Sequence, residues 1–264
     1  MFLLLPITFL VIGSFQDGQG QLTVRNYADI ASTPYIINAF HSSIEISLVT
    51  AIGGGIFGFL LAYAVILGGL PGFLRTALMT FSGVASNFAG VPLALAFIFT
   101  LGQIGLVTGF LKTYLGIDLW GGGFSLYSKI GVELVYMYFQ FPLMVLIIAP
   151  AIDGLKRDWR EAAENMGASS FQYWRYVALP ILMPSLLGTV ILLFGNAFGA
   201  QATVYQLTGG TIPIVTVIIG AQISGDVLHN EGLGYAMAMG MVAIMGIVIT
   251  IYTLLQRRSE KWLR

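Results

Sequence analysis

The sequence predicts an all-α integral membrane protein with about six transmembrane helices and a charged helix-turn-helix on one side of the membrane. Of its 264 residues, 57% are hydrophobic and only 9% are charged, whereas a soluble domain carries about a quarter charged residues. Its apolar residues are gathered into six segments, and its basic residues fall mainly in alternate loops. Such a chain cannot cover itself with polar surface, so we expect lipid to surround it.

The six apolar segments define the predicted spans. They are residues 2–14, 43–67, 76–101, 130–150, 181–203 and 233–255. A span needs roughly 20 apolar residues, and all but the first segment reach that length. We expect the first to be a retained helix and not a signal peptide, because it has no basic start and no small-x-small cleavage site. The prediction is one transmembrane domain over residues 1–264.

The basic residues predict which side of the membrane each loop faces. Three of the 12 Lys and Arg residues lie on one side, at Arg25, Lys112 and Lys129. The other nine are Arg75, Lys156, Arg157, Arg160, Arg175, Arg257, Arg258, Lys261 and Arg264. An excess of Lys and Arg marks the cytoplasmic side, so both termini are predicted to be cytoplasmic.

The remaining loops and breaks are short. Residues 15–42 and 102–129 are predicted to be outer loops, and residues 213–223 to be a short interfacial or re-entrant piece, because they are apolar but too short to span. Pro92 predicts a kink in the third span. Three consecutive glycines at 53–55 favour close packing of the second span against a neighbouring helix.

The loop over about residues 151–180 predicts two short helices joined by a turn. Asp153 can cap a first helix that starts after Pro150, and Gly167 suits its left-handed end. Ser169 or Ser170 can cap the next turn. Four residues share one predicted stripe of the first helix: Leu155, Trp159, Ala162 and Met166.

Two interpretations of this loop remain open from its residues alone. It could be an amphipathic helix that rests on the membrane surface without a partner. Ala162, Ala163 and Gly167 favour a partner instead, since small side chains let another backbone come close, whereas a lipid-facing stripe would carry bulkier residues.

The same loop resembles the signature of a known family. That signature reads Glu-Ala-Ala, three residues, Gly, nine residues, Ile-x-Leu-Pro, and it is found in the permease subunits of binding-protein-dependent type I ABC importers. The matching residues here are Glu161, Ala162, Ala163, Gly167, Val177, Leu179 and Pro180. Val177 in place of isoleucine is the only departure, and the six-span layout extends the resemblance over nearly the whole chain.

The resemblance implies a multi-pass subunit of the bacterial cytoplasmic membrane that moves a solute by alternating access. The loop would dock on a dimer of cytoplasmic ABC ATPases, where Glu161 would meet a basic residue and Gly167 would permit the turn. A second permease, similar or identical, would complete the pathway, and an extracytoplasmic binding protein would deliver the solute. ATP and magnesium would be bound by the ATPase.

No catalytic chemistry is predicted for the chain itself. It has no phosphate-binding Gly-x-x-x-x-Gly-Lys-Ser/Thr loop and no Gly-x-Ser-x-Gly or His-Glu-x-x-His motif. Without cysteine and with only two histidines, a metal site and a bound cofactor are not expected. The net charge of zero gives no signal for nucleic acid.

Five polar residues within the spans are candidates for the solute pathway, because polar groups in lipid are costly and often functional. They are Glu45, Asn87, Glu133, Asn196 and Gln201. Each has a structural alternative. Glu45 could close a capping box that starts at Ser42, Glu133 could pair with a lysine four residues earlier, and the amides could form interhelical hydrogen bonds.

The solute is predicted from a looser resemblance. Residues 209–223 and 87–92 are similar to permeases of the polyamine, ferric iron and thiamine group, which implies a cationic solute such as spermidine or putrescine. Glu45 and Glu133 would then be stations for positive charge.

Two other classes of protein remain as alternatives. One is an ion-coupled secondary transporter or channel subunit, which would need a charged site deep in the bilayer. The other is a membrane enzyme, which would need catalytic groups clustered at one face. The acids here lie near span ends, and the loop charges pair along a helix instead.

Overall fold

The computed structural model describes residues 4–224 and 230–260, and its regular structure over these residues is helical apart from an isolated bridge between Gln16 and Leu22. In chain order the α-helices are α1 (Leu4–Ser14), α2 (Arg25–Ser32), α3 (Pro34–Leu67), α4 (Gly72–Asn87), α5 (Val91–Leu101), α6 (Leu106–Leu115), α7 (Lys129–Asp153), α8 (Arg157–Asn165), α9 (Ser170–Tyr173), α10 (Leu179–Gly199), α11 (Ala202–Thr208), α12 (Val215–Ser224) and α13 (Glu231–Glu260). A π-helical segment, Trp174–Ala178, joins α9 to α10. The start of the predicted first span, Lys261 and Arg264 lie outside the described residues.

Among the residues that the structure describes, five helical stretches are long and apolar enough to cross a membrane, which confirms the all-α membrane fold. They are Pro34–Leu67, Val91–Leu115, Lys129–Asp153, Ser170–Gly199 and Glu231–Arg257. The apolar helix α1 is shorter. Two of these stretches, Pro34–Leu67 and Ser170–Gly199, begin well before the predicted spans at 43 and 181, since a helix can continue beyond its lipid-facing residues.

The predicted third span, residues 76–101, was wrong as a single helix. It is broken between Asn87 and Val91, and Gly90 there has a φ of 75° and a ψ of −149°. That conformation is essentially restricted to glycine, so the break is larger than the kink expected from Pro92. The Gly90 N–H donates a hydrogen bond to Thr203 Oγ1 over 2.9 Å, which ties the break to α11.

The predicted outer loop over residues 102–129 was also wrong in part, because it contains α6. Together α5 and α6 form the second of the five long apolar stretches. Gly102 and Gly105 lie between the two helices and interrupt the run of apolar residues. The helix ends where Gly116 adopts a left-handed conformation, with a φ of 66°.

The chain forms two compact units, and the first combines residues 1–47, 90–132 and 198–247. Its core joins α3 to α12 and α13 through a cluster of buried side chains: Ile36, Ala39, Val215, Ile218 and Met237. The Val215 N–H donates to Ser43 Oγ over 3.0 Å, so the first turn of α12 is fixed to α3. Helix α12 covers most of the predicted short piece at 213–223, and its interfacial or re-entrant position stays a prediction.

The second unit combines residues 48–89, 133–197 and 248–264, and its helices approach closely at glycines. A Cβ atom added at Gly54 would lie 2.6 Å from Gln140 Cβ, and one at Gly58 would lie 2.5 Å from Met144 Cβ. Side chains at these positions of α3 would therefore overlap α7. The predicted role of the α3 glycines in close helix packing is confirmed.

Candidate functional site

The coupling segment, defined here as residues 151–180, begins differently from the prediction. Asp153 does not cap the first helix. It is the last residue of α7, which continues through Pro150, and its carboxylate accepts a hydrogen bond from Arg75 over 2.5 Å. The first helix of the segment, α8, begins at Arg157, and Lys156 before it provides no side-chain cap.

Within α8, Ala163 is buried and the other residues are exposed. Ala163 is buried in a cluster with Tyr173 and Ala178, so this small residue lets α8 lie against the second helix. The predicted stripe lies mostly at the surface: Trp159 and Ala162 are exposed, and Met166 is 81% exposed. A small and apolar surface is therefore left uncovered in this chain.

The turn after α8 is built as predicted. Gly167 has a φ of 79°, in the left-handed region that glycine favours, and the Ala168 N–H donates back to the Ala163 carbonyl over 3.0 Å. Ser169 then caps α9 in a capping box with Gln172: the Gln172 N–H donates to Ser169 Oγ and the Ser169 N–H donates to Gln172 Oε1. The turn is held on both sides by hydrogen bonds.

Leu179 and Pro180 begin α10, close to the predicted span start at 181, but this helix is not separated from the segment before it. Helix runs without a gap from Ser170 to Gly199, through the π segment. The Leu179 N–H donates to the Trp174 carbonyl, an i→i+5 bond. This wider turn directly precedes Pro180, whose ring would clash with the carbonyl four residues earlier in an α-helix. Val177 is half-buried and packs on the cluster around Ala163.

The charges of α8 divide into a paired and an unpaired group. Arg160 Nε lies 2.9 Å from Glu164 Oε1, as the four-residue spacing predicts, and this hydrogen bond raises the pKa of the Arg160 guanidinium. Glu161 is exposed, and within the described residues no cation lies within 4.0 Å of it. Its carboxylate is therefore open to a basic group on another protein.

Glu45 does not occupy the predicted helix start. Helix α3 begins at Pro34, so Glu45 lies in its fourth turn and cannot form the capping box. Its Oε2 atom lies 2.5 Å from Lys129 Nζ and 3.6 Å from His41 Nδ1. Lys129 thus pairs with Glu45, and Glu133 is half-buried in α7.

The three predicted amides lie at or near helix ends. Asn87 is the last residue of α4, and its Nδ2 donates to the Gly83 carbonyl over 2.9 Å. Asn196 is exposed near the end of α10, and Gln201 is exposed immediately before α11. Each amide keeps exposed polar atoms, and their role in a pathway stays a prediction.

Gln140, the one amide in the fourth apolar segment, was not predicted as a functional residue. It is fully buried, and its Nε2 donates to the Leu193 carbonyl over 3.0 Å, which links α7 to α10. Its Oε1 is buried without a hydrogen-bond partner among the described residues. The cost of a polar group inside an apolar span was the signal that could have identified it.

Comparison with known proteins gives a consistent result over most of the chain. Residues 54–264 match the sequence profile of a family described as "binding-protein-dependent transport system inner membrane component". A probable sulfate transport system permease protein cysT from Nephroselmis olivacea is 25% identical, over 100% of this chain and 87% of that protein. In Escherichia coli, the sulfate transport system permease proteins CysT and CysW are 28% and 26% identical, covering 79% and 98% of this chain and 70% and 84% of their own lengths.

Solved structures show the same fold. A bacterial ABC transporter involved in the import of the acidic polysaccharide alginate has a chain that superposes with a TM-score of 0.74 at 16% identity, covering 98% of this chain and 90% of that one. A chain of the MetNI methionine ABC transporter gives a TM-score of 0.55 at 15% identity, over 86% of this chain and 99% of that one.

Proposed function

The chain belongs to the family of binding-protein-dependent transport system inner membrane components, and from that premise we propose that it forms half of the membrane pathway of an importer for sulfate or a closely related tetrahedral oxyanion. The family confirms a multi-pass permease of the type I ABC importer fold. A permease of this family is a transport subunit without catalysis of its own, which decides against both the ion-coupled transporter and the membrane enzyme.

The names of the relatives support an anionic solute in place of the predicted polyamine. Curated relatives from algae and bacteria that align with 76–100% of this chain are named sulfate permeases. None of these names includes a polyamine, ferric iron or thiamine. The looser resemblance of residues 209–223 and 87–92 to that group is therefore not supported by these relatives.

The charges around Glu45 also support this change. A carboxylate can bind a cationic solute along the pathway only if its own charge is not already neutralised. Glu45 is paired with Lys129 at 2.5 Å and approached by His41 at 3.6 Å. The structural reason for expecting a cation at Glu45 is thereby removed, and the names of the relatives carry the choice of an anion.

A dianion that leaves water needs hydrogen-bond donors from the protein. The amides of Asn196 and Gln201 can present N–H groups to sulfate oxygens, and Asn87 can do so by releasing its longer hydrogen bond, the 3.4 Å one to Ser86 Oγ. A carboxylate would repel these oxygens. We assign the pathway role to these three amides and leave Glu133 as a structural residue.

The coupling segment transmits the work of ATP hydrolysis in this proposal. Trp159, Ala162 and Met166 form the surface that enters a groove of the ATPase, and Glu161 meets a basic residue at its edge. The turn at Gly167, fixed by the capping box at Ser169, keeps the two short helices together as one body. ATP and magnesium are bound by the ATPase dimer, while a binding protein supplies solute on the opposite side of the membrane.

Transport by the reconstituted assembly tests the solute. The chain is purified with the second permease and ATPase of its own organism, placed in proteoliposomes, and supplied with the cognate binding protein. ATP-dependent uptake of radiolabelled sulfate that excess spermidine does not reduce is expected. Uptake of spermidine without uptake of sulfate would contradict the proposal and restore the cationic solute.

A further inference from the structure

A cavity of about 490 Å³ lies beside the coupling segment, within the second unit. Tyr63 and Leu67 near the end of α3 line one side, Lys156, Arg157 and Arg160 line another, and Trp174 of the π segment lines a third. A volume of this size falls within the range of about 300–1,000 Å³ that is common for ligand sites. The predicted side of the membrane for all of these residues is the cytoplasmic one.

One wall of the cavity is aromatic and apolar. The ring of Trp174 lies 5.0 Å from that of Tyr63 at 81°, and 6.3 Å from that of Tyr173, so its orientation is fixed by edge contacts. Tyr63 and Leu67 are 40% and 48% exposed on the surface of a membrane-crossing helix. Tryptophan and tyrosine are enriched at the level of lipid headgroups, which places this wall at that level.

The opposite rim carries positive charge that this chain does not neutralise. Across residues 4–224 and 230–260, neither Lys156 nor Arg157 has a carboxylate within 4.0 Å. Lys156 Nζ lies instead over the Trp159 ring, 5.8 Å from its centroid. Arg160 is bound to Glu164, and Glu161 also borders the cavity, so three cations face two carboxylates.

Glu161 borders the cavity and is also assigned to the ATPase, but the other cavity residues of α8 and the apolar surface assigned to the ATPase lie on different faces of the helix. With about 100° of rotation per residue, Arg157, Arg160 and Glu164 share one face, while Ala162 and Met166 lie on the opposite one. A molecule in the cavity would therefore not compete with the ATPase for the exposed apolar surface.

We propose that this cavity binds the headgroup of an anionic phospholipid from the cytoplasmic leaflet. Its phosphate oxygens accept hydrogen bonds from Arg157 and Lys156, and its glycerol and upper acyl carbons lie against Trp174 and Leu67. Basic pockets beside transmembrane helices on the cytoplasmic side are suited to such headgroups, and basic residues near the membrane attract anionic lipid. The bound lipid connects α3 to the coupling segment. This site does not depend on the identity of the transported solute.

The test measures the lipid retained by the assembled importer. The chain with its second permease and ATPase is placed in nanodiscs of phosphatidylcholine containing phosphatidylglycerol, exchanged against phosphatidylcholine alone, and examined by native mass spectrometry. Retained phosphatidylglycerol is expected, and Lys156→Gln or Arg157→Gln should each weaken retention roughly fivefold. Arg157→Lys should restore it. Arg175→Gln, a matched change of an exposed arginine in the same segment but outside the cavity, should leave retention unchanged.

Three outcomes would overturn the proposal. Equal retention in Arg157→Gln and in the unmodified assembly would show that the lipid binds elsewhere. Equal retention of phosphatidylcholine would remove the role of the negative headgroup. In discs of phosphatidylcholine alone, binding of radiolabelled sulfate that is lost in Arg157→Gln would assign the cavity to a free oxyanion and not to lipid. Uptake of sulfate or spermidine by the same assembly is scored separately, so failure of either proposal leaves the other standing.

Discussion

The contact between Glu45 and Lys129 changes the functional interpretation of an acidic residue inside a membrane protein. Taken alone, Glu45 is an acid in an apolar segment, which is a reason to expect a functional site. The 2.5 Å contact with Lys129 joins α3 to α7 and neutralises the negative charge of Glu45 within the first unit. The two side chains are 40% and 39% exposed, so water or solute still reaches the pair.

Glu45→Gln is expected to leave the rate and selectivity of sulfate uptake unchanged, because its carboxylate is occupied by Lys129 and does not contact the solute. Lys129→Gln should lower the midpoint of thermal unfolding in detergent, since Glu45 then keeps a charge with only His41 beside it. The double change Glu45→Gln, Lys129→Gln should recover part of that loss. Loss of uptake in Glu45→Gln with unchanged stability would contradict a structural role.

Asn196→Asp is expected to lower sulfate uptake by about tenfold or more, because a carboxylate placed beside a dianion costs several kcal/mol. Asn165→Asp, a matched change at an exposed position at the end of α8, should have no such effect. The measurement is initial sulfate uptake in proteoliposomes at equal protein content. Equal uptake by both variants would remove Asn196 from the pathway.

At the scale of an element, the shape of the coupling segment depends on a few residues with special conformations. Gly167 supplies the left-handed turn, the capping box at Ser169 fixes the second helix, and Ala163 allows the two helices to touch. These contacts form within the chain, so the segment is ordered before any ATPase binds. Less ordering entropy is then lost on docking.

Met166→Glu is expected to reduce co-purification of the ATPase by at least about tenfold, because it places a charge in the centre of the exposed apolar surface. Thermal unfolding of the permease alone should not change, since Met166 is 81% exposed. Glu164→Gln provides a control on the opposite face of α8 and should retain the ATPase. Retention of the ATPase by Met166→Glu would place the docking surface elsewhere.

Thr203→Val is expected to lower the free energy of unfolding by about 1–3 kcal/mol, because the Gly90 N–H at the helix break loses its acceptor. Thr203→Ser keeps the hydroxyl and should retain most of the stability. The measurement is the unfolding of the purified permease in detergent with increasing denaturant. Equal stability of the valine and serine variants would show that this hydrogen bond does not hold the break.

The turn at Gly167 and the helix break at Gly90 show which parts of the fold can be predicted from the sequence. The turn at Gly167 was predictable because its signals are local: a periodic helix, a glycine, and then a capping serine. The break at Gly90 was not, since its conformation depends on Thr203, more than a hundred residues away. Apolar content alone cannot separate one long helix from two short ones, so α4 and α5 were merged and α6 was overlooked.

The candidate sites also divide into those that depend on local sequence and those that depend on contacts between distant residues. The coupling residues form one continuous motif, so their positions could be found from sequence. The partner of Glu45 could not, because Lys129 lies 84 residues away in the sequence and only the contact between α3 and α7 brings the two side chains together. Gln140 was hidden for a similar reason, since its acceptor belongs to another helix.

At the scale of the whole molecule, one chain of this fold supplies part of an assembly. Its profile match over residues 54–264 places nearly all of its long helices within the family region. Escherichia coli has two related sulfate permeases, CysT and CysW, and this chain aligns with both. That pattern favours a pair of similar but distinct permeases.

We therefore expect two differently tagged copies of this chain not to co-purify when a second sulfate-type permease of the same organism is co-expressed. Each tag should instead recover the second permease with the ATPase, because a distinct partner is expected to fill the other half of the pathway. The readout is the composition of the complex after purification on each tag in turn. Recovery of both tags with the ATPase and without the second permease would show a homodimer.

The π segment at Trp174–Ala178 sets the rotational phase between the coupling segment and the membrane helix that follows it. A π turn closes through an i→i+5 bond and so takes up one residue more than an α turn, which offsets everything downstream by about 100°. Shortening this stretch by one residue would preserve both helices and their side chains, yet it would swing Phe171 and the rest of α9 around the axis. A partner bound to α8 and α9 would then face the membrane helix at a different rotational angle, so the length of this five-residue segment matters as well as its side chains.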